Sequence, residues 1–110
     1  MKSDLAQKEC KPCDGGTPPL KGEDLRRLSE QLDEGWTIVE EKRLEKQFSF
    51  PDFAHALEFT NRVGEIAEQQ GHHPDIYLSY GAVRVEIWTH KIGGLTESDF
   101  ILAAKINALE

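Results

Sequence analysis

No stretch of the 110-residue chain approaches the ~18 consecutive apolar residues that a helical membrane span requires. Met1 to Leu20 also lacks the apolar core of a secretory signal, so the chain is expected to work in the cytoplasm. Cysteine is scarce, with only Cys10 and Cys13 in a single Cys-x-x-Cys pair. In a cytosolic chain such a pair points to thiol or metal chemistry rather than to a structural disulfide. A structural zinc site needs four ligands and no second pair exists, so this one would have to meet its like across a dimer axis. The other reading is a mobile tail with two reducible thiols. Positive charge is short as well. Thirteen Lys and Arg stand against 20 Asp and Glu, a formal net charge of -7, which repels a phosphate backbone and disfavours nucleic acid as a direct partner. Repeats of solenoid type are missing, and so is the G-x-S-x-G elbow of a serine hydrolase.

Hydrophobic residues make up 38% and charged residues 30%, which fits one soluble globular domain with its own core. Residues 1–20 read as an N-terminal arm, because Gly15-Gly16 and Pro18-Pro19 break any regular element. Residues 21–110 read as the domain. Leu25, Leu28 and Leu32 fall at helical spacing between Gly22 and Glu34, with Gly35 as the stop. Trp36–Glu40 and Arg43–Phe50 read as strands joined at Glu41-Lys42. Asp52 suits the cap of a long helix over Phe53–Gln70, whose apolar stripe runs through Phe53, Ala56, Leu57, Thr60, Val63 and Ala67. Phe59 and Ile66 widen that stripe enough to invite a partner subunit. His55 is expected to face solvent. Ile76–Tyr80 and the alternating Val83, Val85, Ile87 give two more strands, and Thr96-Glu97-Ser98-Asp99 is a capping box opening a last helix to about Leu109. The order predicts an α+β fold, α-β-β-α-β-β-α, with a four-stranded antiparallel sheet covered by helices on one face.

The chemistry concentrates between Glu68 and Asp99, which holds three of the four histidines, His72, His73 and His90. His72 and His73 follow a helix end and His90 follows a strand, the places where rigid elements present side chains to a cleft. Imidazoles exchange protons near neutral pH, so histidines on two sides of a small ligand form an acid and base pair. Adjacent extended residues point apart, which weakens a metal site built on 72 and 73. Three ordinary surface or half-buried histidines satisfy the same spacing.

Glu68-x-x-x-His72-His73-Pro74, Tyr80, Thr89-His90 and Gly94-Leu95-Thr96-x-x-Asp99 together resemble the signature of the pterin-4a-carbinolamine dehydratases. The resemblance extends through Gly35-Trp36, Lys46-Gln47-Phe48-x-Phe50 and Asp52-Phe53, covering roughly residues 22–109. It implies a hydro-lyase that dehydrates 4a-hydroxytetrahydropterin to the quinonoid dihydropterin and recycles the cofactor of aromatic amino acid hydroxylases, with no cofactor beyond the pterin itself. It also implies that His72 and His90 are catalytic, that His73 positions substrate and assists proton transfer, and that Gly71, Trp88, Thr89 and Lys91 line the pterin site. Glu68 and Asp99 match as supporting residues, although a helix's last turn and a capping box explain them equally well. Gly71 replaces an acidic residue and Ile76 an aromatic one found in many animal members. Relatives suggest two alternatives: a role toward molybdopterin, and a non-catalytic dimerisation or coactivator module. A homodimer or larger homo-oligomer is expected, whereas a monomer with the long helix exposed would favour the module that docks on an external partner.

Overall fold

The computed structural model describes residues 5–8, 10, 18–32 and 35–109. Its elements are α1 (Glu23–Ser29), β1 (Thr37–Val39), β2 (Arg43–Ser49), α2 (Phe53–Gln70), β3 (Asp75–Ser79), β4 (Ala82–Ile87) and α3 (Glu97–Asn107). The four strands form one antiparallel sheet in the order β1-β2-β4-β3, so two hairpins meet at the central β2–β4 pair. Val83, Val85 and Ile87 of β4 are fully buried, and β2 sets Leu44 opposite Ile87 and Phe48 opposite Val83. α2 and α3 close over this face. The opposite face is polar, with Arg43 near Glu45, Arg84 near Glu86, and the Arg84 guanidinium over the Tyr77 ring at 4.3 Å.

α2 begins and ends where its flanking residues dictate. Asp52 is extended and accepts from the His55 N–H at 2.9 Å, while Gly71, at φ 64, ends the helix in the left-handed region that glycine enters without penalty. Its buried stripe is Ala56, Phe59, Val63 and Ala67. This corrects the expected stripe: Ala56, Val63 and Ala67 are buried as expected, but Phe53 and Leu57 are 44% and 41% exposed, because the sheet lies toward the Phe59 side of the helix. Phe59 packs against Phe48 and Phe50 at centroid distances of 4.6 and 5.1 Å.

Two other boundaries differ from the sequence reading. α1 stops at Ser29 rather than near Glu34, and the chain tightens into turns in which Gln31 N bonds Leu28 O and Leu32 N bonds Ser29 O. The β1–β2 turn places Glu40 and Glu41, not Lys42, at its centre, both with positive φ (54 and 59), the handedness that follows the right-handed twist of the strands, and the Lys42 N–H closes it on Val39 O at 2.9 Å. Glu41 Oε2 accepts from the Gly22 N–H at 3.3 Å, tying the turn to the start of α1.

The described part of the N-terminal segment is packed onto the domain. A single 3-10 turn at Leu5–Gln7 lies against α3, and Leu5 is fully buried in the core. Burying one leucine is worth about 1.5–3 kcal/mol, so this segment adds to the fold's stability. Lys105 Nζ donates to Ala6 O at 2.8 Å. Cys13 lies outside the described residues.

Candidate active site

The first histidine corner is built by the end of α2. The Gly71 and His72 N–H groups both return to Ala67 O, closing the helix, and Pro74 holds His73 toward the extended conformation that leads into β3. This reversal turns the His72 ring inward. Its Nε2 lies 2.6 Å from Asp99 Oδ1, with the His72 side chain 13% exposed and Asp99 fully buried. His73 takes the other side. Its Nε2 lies 2.6 Å from Glu68 Oε2, and both side chains are exposed.

The second corner is the loop after β4. Thr89 N donates to Gly94 O at 2.9 Å, and the Ile92 and Gly93 N–H groups bond Thr89 O, so residues 89–94 fold back tightly with His90 and Lys91 exposed at the tip. Glycine is required at 94, where a Cβ would come within 2.7 Å of Pro19 Cβ. Thr89 points inward and donates to Asp99 Oδ2 at 2.9 Å. The Thr96 N–H donates to the same oxygen at 2.8 Å, and the Thr89 and Thr96 hydroxyls are 3.1 Å apart. The His90 ring packs edge-on to Trp88 at a centroid distance of 4.4 Å.

Asp99 therefore joins the two corners: Oδ1 meets His72, and Oδ2 receives the hydroxyl of the residue preceding His90. A carboxylate only accepts, so the His72 nitrogen facing it donates and Nδ1 is left as the acceptor of a neutral ring. The sequence allowed Asp99 to be explained by capping alone. The capping bond from Thr96 N is present, and the same carboxylate also holds His72, so the two roles coincide. Thr96 was not singled out from sequence as a site residue, because a T-x-x-D pattern is indistinguishable from an ordinary helix start.

Of the remaining expected residues, Gly71 shapes the first corner, and Trp88, Thr89 and Lys91 surround His90. Among the described residues no hydrogen bond links His90 to His72 or His73; the tie between the two corners runs from His72 to Asp99 and from Asp99 to Thr89, the residue before His90. A hollow of about 180 Å³ opens at this end of the sheet, lined by Lys42, Arg43, Glu86, Trp88 and Gly93. Of the residues predicted to bind substrate, Trp88 is the one on its wall. No three His, Cys, Asp or Glu side chains among the described residues are grouped to hold a metal ion. Cys10 is half-buried, its N–H donating to Gln70 Oε1 at 2.8 Å and its thiol to Ser98 O at 3.4 Å.

A third histidine–carboxylate pair lies away from both corners. His55 is exposed as expected, yet its Nδ1 is 2.6 Å from Asp52 Oδ1. The side-chain bond to Asp52 raises the His55 pKa above its ordinary value. The His55 backbone N–H, followed by its ring, lowers the Asp52 pKa below its ordinary value.

Residues 18–109 match the family model described as pterin 4 alpha carbinolamine dehydratase. A curated protein of Rubrobacter xylanophilus, provisionally named as a pterin-4-alpha-carbinolamine dehydratase, is 57% identical over 107 residues, covering 97% of this chain and 99% of its own. That likeness reaches into the segment ahead of residue 18 and so includes part of the arm. A solved structure from Brucella melitensis, described as a transcriptional coactivator/pterin dehydratase, superposes with a TM-score of 0.77 at 32% identity, covering 83% of this chain and 97% of that one. A pterin dehydratase-like protein described as a RuBisCO assembly factor of the alpha-carboxysome shares the fold at a TM-score of 0.60 and 24% identity, covering 69% of this chain and 89% of that one. No helix among the described residues is long and apolar enough to cross a membrane. By family model and by near full-length identity, the chain belongs to the pterin 4 alpha carbinolamine dehydratase family.

Proposed function

We propose that this chain dehydrates a 4a-hydroxytetrahydropterin to the quinonoid dihydropterin and water, using His72 and His90 as the acid and base pair and His73 to position substrate. The C4a–O bond breaks, the hydroxyl leaves as water after gaining a proton, and N5 gives up its proton as the C4a=N5 bond forms. Two proton transfers suffice for this, with no cofactor beyond the pterin. The observation that supports the reading is the Asp99 carboxylate, which fixes His72 through Nε2 and leaves Nδ1 to exchange a proton with a ligand. The same carboxylate steadies the residue before His90. Trp88 would offer its ring face to the pterin in the hollow that it lines with Lys42, Arg43, Glu86 and Gly93; Gly71, Thr89 and Lys91 enter the reading as further substrate-binding positions. The product would feed a reductase that restores tetrahydropterin for aromatic amino acid hydroxylases, in the cytoplasm.

Each proton transfer of this kind is typically worth ~10²–10⁴ in rate. Stopped-flow absorbance of carbinolamine decay is expected to show acceleration by the chain, with His72→Ala or His90→Ala removing about 10²-fold or more. Wild-type decay equal to that in buffer would reject the proposal. Self-association is part of the same reading: Phe53 and Leu57 stand exposed on the outward side of α2, where a second copy would cover them. Multi-angle light scattering at the mass of a monomer would instead favour a module that docks on another protein.

A further inference from the structure

Cys10 stands where both halves of the His72–Asp99 pair are anchored. Its N–H donates to Gln70 Oε1 at 2.8 Å, and Gln70 is the last residue of α2, two before His72. Its thiol donates to Ser98 O at 3.4 Å, and Ser98 directly precedes Asp99. One residue of the N-terminal segment thus spans the end of α2 and the start of α3, elements that deliver the two partners from positions 27 apart in sequence. The segment is itself held: Leu5 is fully buried, Lys105 Nζ bonds Ala6 O at 2.8 Å, and Lys8 pairs with Glu97 at 3.1 Å. Leu5, Ala6, Lys8 and Cys10 are thus each tied to the domain.

We infer that Cys10 is a positioning residue, which through Gln70 and Ser98 sets the spacing at which His72 Nε2 meets Asp99 Oδ1. The 2.6 Å contact tolerates little drift, since a shift of about 1 Å takes it beyond hydrogen-bond range. The backbone donor to Gln70 is the stronger tie, because a thiol donates weakly. The effect on rate rests on the dehydratase reading; the effect on ring geometry does not.

The test follows both readouts in the full chain. Gln70→Ala is expected to lower kcat about 3- to 10-fold, with KM held within about twofold, as a displaced catalytic group does. The same variant shifts the His72 imidazole resonances in ¹H–¹⁵N spectra. Gln70→Glu keeps an acceptor for the Cys10 N–H and restores both. Cys10→Ala gives a smaller change of the same kind, and Cys10→Ser, which keeps a donor toward Ser98 O, reverses it. His72 resonances that stay unmoved in Gln70→Ala and Cys10→Ala overturn the inference, even if Tm falls. If the wild-type chain does not accelerate carbinolamine decay, the dehydratase reading fails, and the resonances alone still decide whether Cys10 sets the pair.

Discussion

His72 and His73 are neighbours in sequence, and each sets Nε2 2.6 Å from a carboxylate oxygen, yet the two pairs differ in kind. Asp99 is fully buried and its second oxygen is bonded by Thr89 and Thr96, so it has one place to be and holds the His72 ring there. Glu68 is 79% exposed on a helix surface and its pair with His73 competes with water and salt. Equal distances therefore do not mean equal constraint. Burial and the partners of the far oxygen decide whether a carboxylate orients a histidine or merely accompanies it.

The sharpest way to break this contrast is Asp99→Asn. The amide cannot accept from His72 and from both threonine donors, so either the ring loses its fixed tautomer or a buried donor loses its partner. The expected outcome is a fall in kcat of about 10²–10⁴, judged by what a comparable substitution does in a histidine–aspartate pair. An accompanying loss of stability of about 1–3 kcal/mol should appear in urea unfolding. Retention of more than about a tenth of the wild-type kcat would mean that the buried partner is not what separates the two histidines. Glu68→Gln is the matched substitution on the exposed pair. It should change kcat by no more than about twofold, with the residual effect fading as salt rises.

The smallest effect belongs to the third pair, at the start of α2. His55 has a raised pKa, so its contribution is complete below its ordinary value of 6.5 and is lost as pH rises through the raised value. Asp52 has a lowered pKa, so its contribution is complete above its ordinary value of 3.8 and is lost as pH falls through the lowered value. The Tm difference between wild type and His55→Ala should therefore be largest between those ordinary values and shrink as pH rises through the raised pKa of His55. Activity should not follow it. A difference that grew with pH would contradict the pairing.

What could be read without coordinates was whatever is local. Asp52 and Gly71 punctuate α2, and the alternation of Val83, Val85 and Ile87 announces a half-buried strand; both hold in the fold. The α2 stripe was misjudged because Phe53, Leu57 and Phe59 are equally apolar, and only the position of the sheet chooses among them. Leu5 carried no signal at all: a lone leucine in a segment rich in glycine and proline has no period to betray its burial. The histidine pattern marked the candidate residues, but the meeting of Asp99 with His72 depends on bringing α3 against the end of α2. No spacing encodes that. Glu68 and Asp99 looked alike in sequence and parted company only through burial.

The turn at Glu40 and Glu41 lies at the same end of the sheet as the hollow beside Trp88, one residue from Lys42 on its wall. Two like-charged residues are kept there in a handedness that Asn-Gly would accept readily, while the carboxylate of Glu41 fastens the first helix to the hairpin. Conformational tension is thus lodged at the rim of the cleft and not spread through the scaffold. A sequence drifting toward an easier turn at this spot would shed that tension and give up the fastening in the same step.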